Sequence, residues 1–242
     1  MTSKTAESTR IVYCWQYIHS LDFFSRMLSQ HVGANVSSPL QPLIYPCVQV
    51  TLGTIKLNPS SQNFPLRFHL VESLLRLSRQ TNVYIPLAPT LLEPLDATVM
   101  KSASNKKSHT VLKPVELDFT LKVSASYLSG PSARVYRDQV ASKLVYLLAQ
   151  FFDLHAQSPA FPELTVPPVV WIKRWVKKNG EGCGPKVRHA LAGLVGKLEE
   201  HAKWVEEKRK GMAFEPENLQ NIQVGPETEE GPLRKWIKKQ SI

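Results

Sequence analysis

The fold of this chain is decided by Phe64-Pro-Leu-Arg-Phe-His-Leu-Val-Glu-Ser-Leu-Leu-Arg-Leu-Ser-Arg79 and by Tyr84-Ile-Pro-Leu-Ala-Pro-Thr-Leu-Leu-Glu-Pro-Leu95, which follows it. The pattern predicts one helix, a short turn and a second, shorter helix. Both helices are apolar on more than one face, and such helices need neighbours on both sides. Stacked helix pairs provide these neighbours, so the stretch favours an α-solenoid, a fold that offers extended binding surface.

The same stretch lacks the residue patterns of an enzyme. It contains no paired acid and base, no metal-ligand spacing and no phosphate-binding loop. It therefore favours a scaffold over a catalyst. We expect no catalytic residue, no cofactor, no metal site and no small-molecule substrate.

Helical spacing of three and four residues recurs in several other segments. Pro94 is expected to kink or shorten the helix that contains it, and the four prolines between Pro159 and Pro168 are expected to break the chain before a short basic helix. The predicted helices cover residues 11–31, 39–55, 64–80, 86–99, 134–155, 169–178 and 186–210.

Residues 113–123 follow a different period. Val115, Leu117, Phe119, Leu121 and Val123 alternate with polar residues, which predicts an extended segment. One isolated strand cannot form a sheet, so the segment is either a strap laid across helices or an edge awaiting a partner strand. The predicted fold class is all-α, an irregular HEAT-like α-solenoid with this extended strap and a loosely ordered C-terminal tail.

Composition divides the chain into three parts. Residues 1–10 are rich in Ser and Thr and are predicted to be disordered, and residues 11–211 form the predicted helical-repeat domain. Residues 212–242 form an extended tail, first acidic and then basic, because Glu-, Pro- and Gly-rich sequence cannot build a core. Its last part, residues 232–242, carries Leu233 among cations and is also compatible with a short docking helix.

The charge balance points to an acidic partner. The chain has 30 Lys and Arg residues against 20 Asp and Glu residues, a formal net charge of +10. Nucleic acid is the commonest acidic partner, although a basic protein need not bind one. Cys14, Cys47 and Cys183 are far apart and odd in number, which fits a reducing compartment. No apolar run reaches the roughly 18 residues of a membrane span, so we expect no membrane partner.

Four cations lie beside two tryptophans in the predicted helix 169–178. This combination suits RNA, through phosphate contacts and stacking. In the alternative, Trp171 and Trp175 face the core, as their spacing of four favours, and the cations are solvated. The candidate RNA contacts are Lys173, Arg174, Lys177, Lys178, Lys186 and Arg188.

Candidate protein contacts lie in the first half of the chain. Helix 11–31 is unusually aromatic, and three arginines follow one another along helix 64–80. These arginines either pair with Glu72 and Glu93 or face a partner. The candidate partner contacts are Trp15, Phe23, Arg67, Arg76 and Arg79.

Several blocks, in order over residues 11–218, resemble the nucleolar complex protein 2 family. They are Trp15-Gln-Tyr-Ile-His-Ser-Leu-Asp-Phe-Phe-Ser-Arg26, Ser38-Pro-Leu-Gln-Pro-Leu-Ile-Tyr-Pro46, Phe64-Pro-Leu-Arg-Phe-His-Leu70, Tyr84-Ile-Pro-Leu-Ala-Pro89, Lys113-Pro-Val-Glu-Leu-Asp-Phe119, Arg134-Val-Tyr-Arg-Asp138 and Glu206-Glu-Lys-Arg209. Family members are much longer, so the chain looks like the C-terminal portion of such a protein.

The resemblance implies a HEAT-like helical protein of the nucleolus and nucleoplasm. Family members pair with sister nucleolar complex proteins and act in maturation and nuclear transport of the precursor of the large ribosomal subunit. The family has no known catalytic residues. The expected function is a non-catalytic assembly factor that scaffolds these sister proteins and contacts pre-rRNA and ribosomal proteins.

Two other functions remain open at the level of sequence. The first is a HEAT-type nuclear adaptor that binds only proteins, and its partner binding would be insensitive to salt and would not retain RNA. The second is an RNA-processing enzyme with a scattered active site, which would turn over pre-rRNA in isolation.

Overall fold

Helices form all the regular structure that the computed structural model describes, over residues 3–33, 38–101, 113–210 and 231–240. Within these ranges there is no β-strand, which confirms the all-α class. HEAT-like repeat geometry, and the repeat domain over residues 11–211, stay predictions. No helix of the described ranges combines the length and the apolar character that crossing a membrane requires.

The chain forms two compact units, Met1–Lys143 and Leu144–Ile242. The first unit contains helices α1 to α6 and the first part of α7, and the second contains the rest of α7 and helices α8 to α10. The bounds are α1 Ser3–Val12, α2 Trp15–Gly33, α3 Ile44–Leu57, α4 Phe64–Thr81, α5 Ala88–Leu92, α6 Thr98–Lys101, α7 Gly130–Leu154, α8 Phe161–Asn179, α9 Pro185–Arg209 and α10 Pro232–Gln240.

Helix α4 is the centre of the first unit. Twelve of its 18 residues are buried, which agrees with a helix that is apolar on more than one face. Helices α2 and α3 both pack against it, and the Ser25 hydroxyl of α2 donates a hydrogen bond of 2.8 Å to the Ser73 carbonyl of α4. The helix ends at Asn82, whose φ of 54° is the left-handed conformation common at helix C-termini.

Residues 113–123 lie along α4 and α7 within the first unit. The Leu66 N–H donates to the Leu121 carbonyl at 3.2 Å, and the Val123 N–H donates to the Gln62 carbonyl at 2.9 Å. The side-chain amide of Gln139 bonds both backbone groups of Val115, at 3.0 and 2.8 Å. The segment is thus a strap, interrupted by a 3-10 turn at Leu117–Phe119 that leaves Phe119 77% exposed.

The structure differs from the sequence prediction at the N-terminus. Helix α1 occupies Ser3–Val12, where disorder is predicted, and the predicted helix 11–31 is divided before Trp15. The division occurs at Tyr13, whose hydroxyl donates to the Thr54 carbonyl at 2.9 Å and accepts from the Asn58 N–H at 3.0 Å. These bonds to the end of α3 hold the chain in a bend.

The predicted break before residue 169 is absent. Helix α8 runs from Phe161 through Pro167 and Pro168 to Asn179. A proline inside a helix costs about 3 kcal/mol because it removes one backbone hydrogen bond and crowds the preceding turn. The burial of Phe161 and Ile172, each fully enclosed on the inner face of α8, offsets this cost.

The C-terminal tail is more ordered than predicted over its last part. Helix α10 packs on α9, with Leu233 fully buried and an ion pair of 3.1 Å between Arg234 and Asp153. This agrees with the docking helix that the sequence permits for residues 232–242. The acidic part of the tail, residues 212–230, lies outside the described residues.

Candidate interaction surfaces

Helices α8 and α9 form an antiparallel hairpin in the second unit. Ion pairs join Glu163 to Arg209 and Lys173 to Glu199, so residues further along α8 face residues earlier on α9. The connecting turn ends at Gly184, whose φ of 86° a side chain rarely adopts. The hairpin therefore places the end of α8 and the start of α9 side by side.

The tryptophans of α8 belong mainly to the packed face of this hairpin. Trp175 is 5% exposed and Trp171 is half-buried. Trp175 therefore follows the alternative in which the tryptophans face the core, and the ring of Trp171 is partly enclosed.

Five of the six candidate RNA contacts lie near the turn end of the hairpin, in the last two turns of α8 and the first turn of α9. We call them the basic surface: Arg174, Lys177, Lys178, Lys186 and Arg188. All five are exposed, and within the described ranges none of them forms an ion pair. Lys186 and Arg188 lie in the first turn of α9, where the helix dipole is positive and no acidic residue is present. The helix dipole and these two side chains therefore have the same sign at this end of the hairpin.

The sixth candidate, Lys173, differs from the other five. Its ammonium group pairs with Glu199 at 2.5 Å, and the two side chains are 55% and 45% exposed. A solvent-exposed pair of this kind contributes little to stability. The carboxylate of Glu199 does neutralise most of the charge of Lys173, so Lys173 is not counted as part of the basic surface.

A second surface lies on α2 in the first unit. The Trp15 ring stacks on His19 at a centroid distance of 5.1 Å and meets His69 edge-on at 5.2 Å. Phe23, one helical turn beyond His19, is 62% exposed and packs against Phe24, which is 49% exposed. We call Trp15, His19, Phe23 and Phe24 the aromatic surface.

The arginines of α4 have different environments. Arg67 is buried, and its guanidinium donates to the Thr90 carbonyl at 3.2 Å and to Glu93 at 3.0 Å. This corrects its assignment as a partner contact, because the group is enclosed by its own unit. Arg76 pairs with Asp22 at 2.7 Å and is one-third exposed, and Arg79 is exposed.

Asp22 links α2 to α4 electrostatically. Its burial would raise the pKa of the carboxyl group, but hydrogen bonds from Arg76 and Arg26 outweigh this effect and hold the pKa below its usual value. The group is therefore a charged structural acceptor near the aromatic surface.

Sequence reasoning missed Val166 and Val170 on α8. They are 57% and 39% exposed and lie one turn apart. The prediction that the chain breaks at Pro167 hid this pair, because it placed Val166 outside any helix while Val170 lay inside the predicted helix 169–178. The spacing of Glu163, Val166, Val170 and Lys173 is the signal that marks one helical face.

Among the described residues, no three His, Cys, Asp or Glu side chains lie close enough together to hold a metal ion. The Noc2p family profile matches residues 1–240. The chain belongs to the Noc2p family.

Relatives in several eukaryotes resemble the chain over most of its length. An uncharacterised Noc2 family protein of Schizosaccharomyces pombe is 40% identical over 226 residues, which cover 92% of this chain and 31% of the relative. Nucleolar complex protein 2 of Drosophila melanogaster is 34% identical over 85% of this chain and 25% of its own length. Nucleolar complex-associated protein 2 of Arabidopsis thaliana is 27% identical over 90% of this chain and 27% of its own length. The chain thus spans a third or less of these Noc2p relatives.

Proposed function

We propose that the chain is a non-catalytic assembly factor of the precursor large ribosomal subunit, acting in the nucleolus and nucleoplasm. Membership of the Noc2p family supports this, as do the names of the Drosophila and Arabidopsis relatives, which are nucleolar complex proteins. We infer the role in maturation and nuclear transport of the large-subunit precursor from the resemblance to that family.

The observation that carries the RNA part of the proposal is the basic surface. Five exposed cations lie near one end of the helical hairpin without a described acidic partner, which leaves them available to phosphates. Because Trp175 is buried and Trp171 half-buried, the site holds phosphates rather than stacking bases. It therefore binds pre-rRNA by charge and shape, with little dependence on base sequence.

The protein part of the proposal uses the aromatic surface. Large exposed rings are enriched at protein interfaces because they bury much area and lose little conformational entropy. Trp15 and Phe23 lie two turns apart on α2, at the ends of a stripe that also contains His19. This stripe suits an apolar groove on a sister nucleolar complex protein.

The basic surface is tested by replacing all five of its cations with Gln in the full chain. RNA crosslinking in cells is expected to fall at least tenfold, while the sister-protein complex stays intact. The matched control replaces five exposed cations of the first unit, namely Arg10, Lys56, Lys113, Lys122 and Arg134. An equal loss of RNA crosslinking in both variants would mean that the net charge of the chain causes the effect, and it would contradict a defined RNA site.

The alternative function is a nuclear adaptor that binds only proteins. The exposed Phe23 serves protein binding under both functions, so the two differ only in what the basic surface contacts. Under this alternative the five-Gln variant releases a protein partner, and RNA is absent from the purified complex.

A further inference from the structure

A groove of about 370 Å³ runs between α8 and α9, beyond Lys173 from the basic surface. Its base contains Pro162, Thr165 and Val169, which are buried. Its α8 wall carries Val166 and Val170. The α9 wall carries Glu199, Ala202, Lys203 and Glu206, which recur at spacings of three and four and thus share one helix face.

The groove exposes more apolar surface than an isolated surface residue does. Val166 is 57% exposed and Val170 is 39% exposed, and both line the groove. Single exposed apolar residues are ordinary, whereas these two valines lie one turn apart in one groove whose other wall is charged, so the aliphatic side chains of a partner can cover both.

Ion pairs between the two helices bound the groove along its length. Lys173 and Glu199 meet at 2.5 Å at one end, and Arg209 and Glu163 meet at 2.7 Å at the other. Glu163 and Lys173 lie ten residues apart on α8, which corresponds to roughly 15 Å of helix. The length fits about three turns of a second helix laid along the groove.

Two charges on the α9 wall are available to a ligand. Lys203 and Glu206 both line the groove, and in the part of the chain that the structure describes neither forms an ion pair. A ligand that places an acidic residue near Lys203 and a basic residue near Glu206 would complement both. These charges define an orientation as well as a site.

The composition of the groove discriminates between classes of ligand. A nucleic acid would meet the carboxylate of Glu206, which has no described ion-pair partner, and would find no aromatic ring among the lining residues. An extended peptide commonly binds by adding a strand to a sheet edge, and the described residues contain no strand. The apolar base and the length of the groove instead favour a helix that inserts aliphatic side chains.

We propose that this groove docks an amphipathic helix of a partner protein. Two aliphatic side chains, one turn apart on that helix, insert against Val166, Val170 and Ala202. An acidic residue of the partner faces Lys203 and a basic residue faces Glu206. The inference rests on the proposed scaffold function and adds a second protein-binding surface to it.

The first experiment identifies the occupant. A photo-crosslinking amino acid replaces Val166 in the full chain, and the crosslinked peptide from native cells is sequenced by mass spectrometry. A segment of another protein with apolar residues at spacings of three and four supports the proposal. Crosslinks to a second copy of this chain, to residues 211–230 of the same chain, to RNA, or to nothing contradict it.

The second experiment measures affinity for a synthetic peptide of the crosslinked segment. In the full chain, Val166→Glu with Val170→Glu is expected to weaken binding at least ~10-fold, because the peptide would bury carboxylates without partners. Val50→Glu with Leu57→Glu changes residues that are 47% and 37% exposed on α3, and serves as the matched control. An unchanged affinity in the groove variant contradicts the proposal, and circular dichroism verifies that both variants are folded.

A charge exchange tests the orientation of the docked helix. Lys203→Glu with Glu206→Lys is expected to weaken the natural peptide and to bind a peptide with its two facing charges reversed. Failure of this rescue contradicts the proposed arrangement. RNA crosslinking is recorded for the same variants, and it should be unchanged. If the groove variants bind the peptide as tightly as the original chain does while RNA crosslinking still depends on the basic surface, the groove proposal fails and the proposed RNA contact is unaffected.

Discussion

Gly231 lies directly against the imidazole ring of His201, and a Cβ atom on Gly231 would stand 2.6 Å from Nδ1 of that ring. No carbon can approach a nitrogen this closely without displacement. The contact is buried, since His201 is 1% exposed. The absence of a side chain at Gly231 is therefore a condition for α10 to begin where it does.

The substitution Gly231→Ala is expected to release α10 from α9. The added methyl group must push the chain away from His201, and Leu233 then loses its buried position. Hydrogen exchange of residues 232–240 should become at least tenfold faster. Gly196→Ala is the control, because nothing lies within 4 Å of a Cβ at that position, and it should leave exchange in α10 unchanged.

The stability of the second unit is expected to fall in mild acid. Burial lowers the pKa of His155 and of His201 below the ordinary value of 6.5. Between those lowered values and pH 6.5 the unfolded chain binds more protons than the folded one, so the free energy of unfolding decreases as the pH falls through this window. Above about pH 6.5 this contribution is fully present.

Denaturant titrations at several pH values test this dependence. The double variant His155→Gln and His201→Gln should have a flatter pH profile, and Gln at position 201 retains a donor for the Ala156 carbonyl, 2.9 Å from Nε2. The exposed His189 provides a control substitution to Gln. A double variant with the slope of the original chain would argue against these two groups as the cause.

Replacement of Arg67 by Met is expected to destabilise the first unit by roughly 1–3 kcal/mol. The Met side chain retains the aliphatic volume but leaves the Thr90 carbonyl without its donor and removes the pair with Glu93. Thermal unfolding measures the loss. Arg134→Met, at an exposed position of α7, should change stability by less than about 0.5 kcal/mol. Equal effects at both positions would contradict a structural role for Arg67.

Replacement of Pro167 by Ala is expected to raise the free energy of unfolding by about 1–3 kcal/mol. Alanine supplies the N–H that proline lacks, so the Glu163 carbonyl gains its hydrogen-bond donor, and Pro167 is exposed, so little packing is lost. The greater freedom of the unfolded chain offsets part of the gain, about 0.4–1 kcal/mol. A decrease in stability would mean that the proline fixes the start of α8.

RNA binding by the basic surface is expected to depend steeply on salt. Five phosphate contacts give a slope of roughly −3.5 to −4.5 for the logarithm of affinity against the logarithm of salt concentration. Lys173→Gln should leave this slope unchanged, because Glu199 already neutralises that ammonium group. Lys178→Gln should reduce it by about one. Equal reductions by both substitutions would place Lys173 among the phosphate contacts.

The periodicity of apolar residues was sufficient to predict the bounds of helices that are defined by their own apolar faces. The predicted helices 64–80 and 186–210 match α4, Phe64–Thr81, and α9, Pro185–Arg209, to within one residue at each end. Their apolar residues recur at helical spacing without interruption, and proline lies only in the first turn of each.

Contacts between distant residues decided the positions where sequence reasoning was insufficient. The bend at Tyr13 depends on a bond to the Thr54 carbonyl, 41 residues away. The separation of Lys173 from the basic surface depends on Glu199, 26 residues away. The passage of α8 through two prolines depends on burial against α9. No local pattern encodes these partners.

The Lys173–Glu199 pair has no net charge and lies on the hairpin between the groove and the basic surface. Val170 and Lys177 are separated by seven residues, or roughly 10 Å of helix, which is about one Debye length at 0.1 M salt. We therefore expect salt to screen most of the electrostatic coupling between the two sites, so that each ligand binds with nearly the same affinity whether or not the other is bound. A protein that connects two ligands through independent sites bridges them best at an intermediate concentration. At low concentration many ligands stay unbound, and at high concentration each ligand binds a separate copy of the protein. Overproduction of this chain should therefore lower the amount of complex in which one copy binds both ligands.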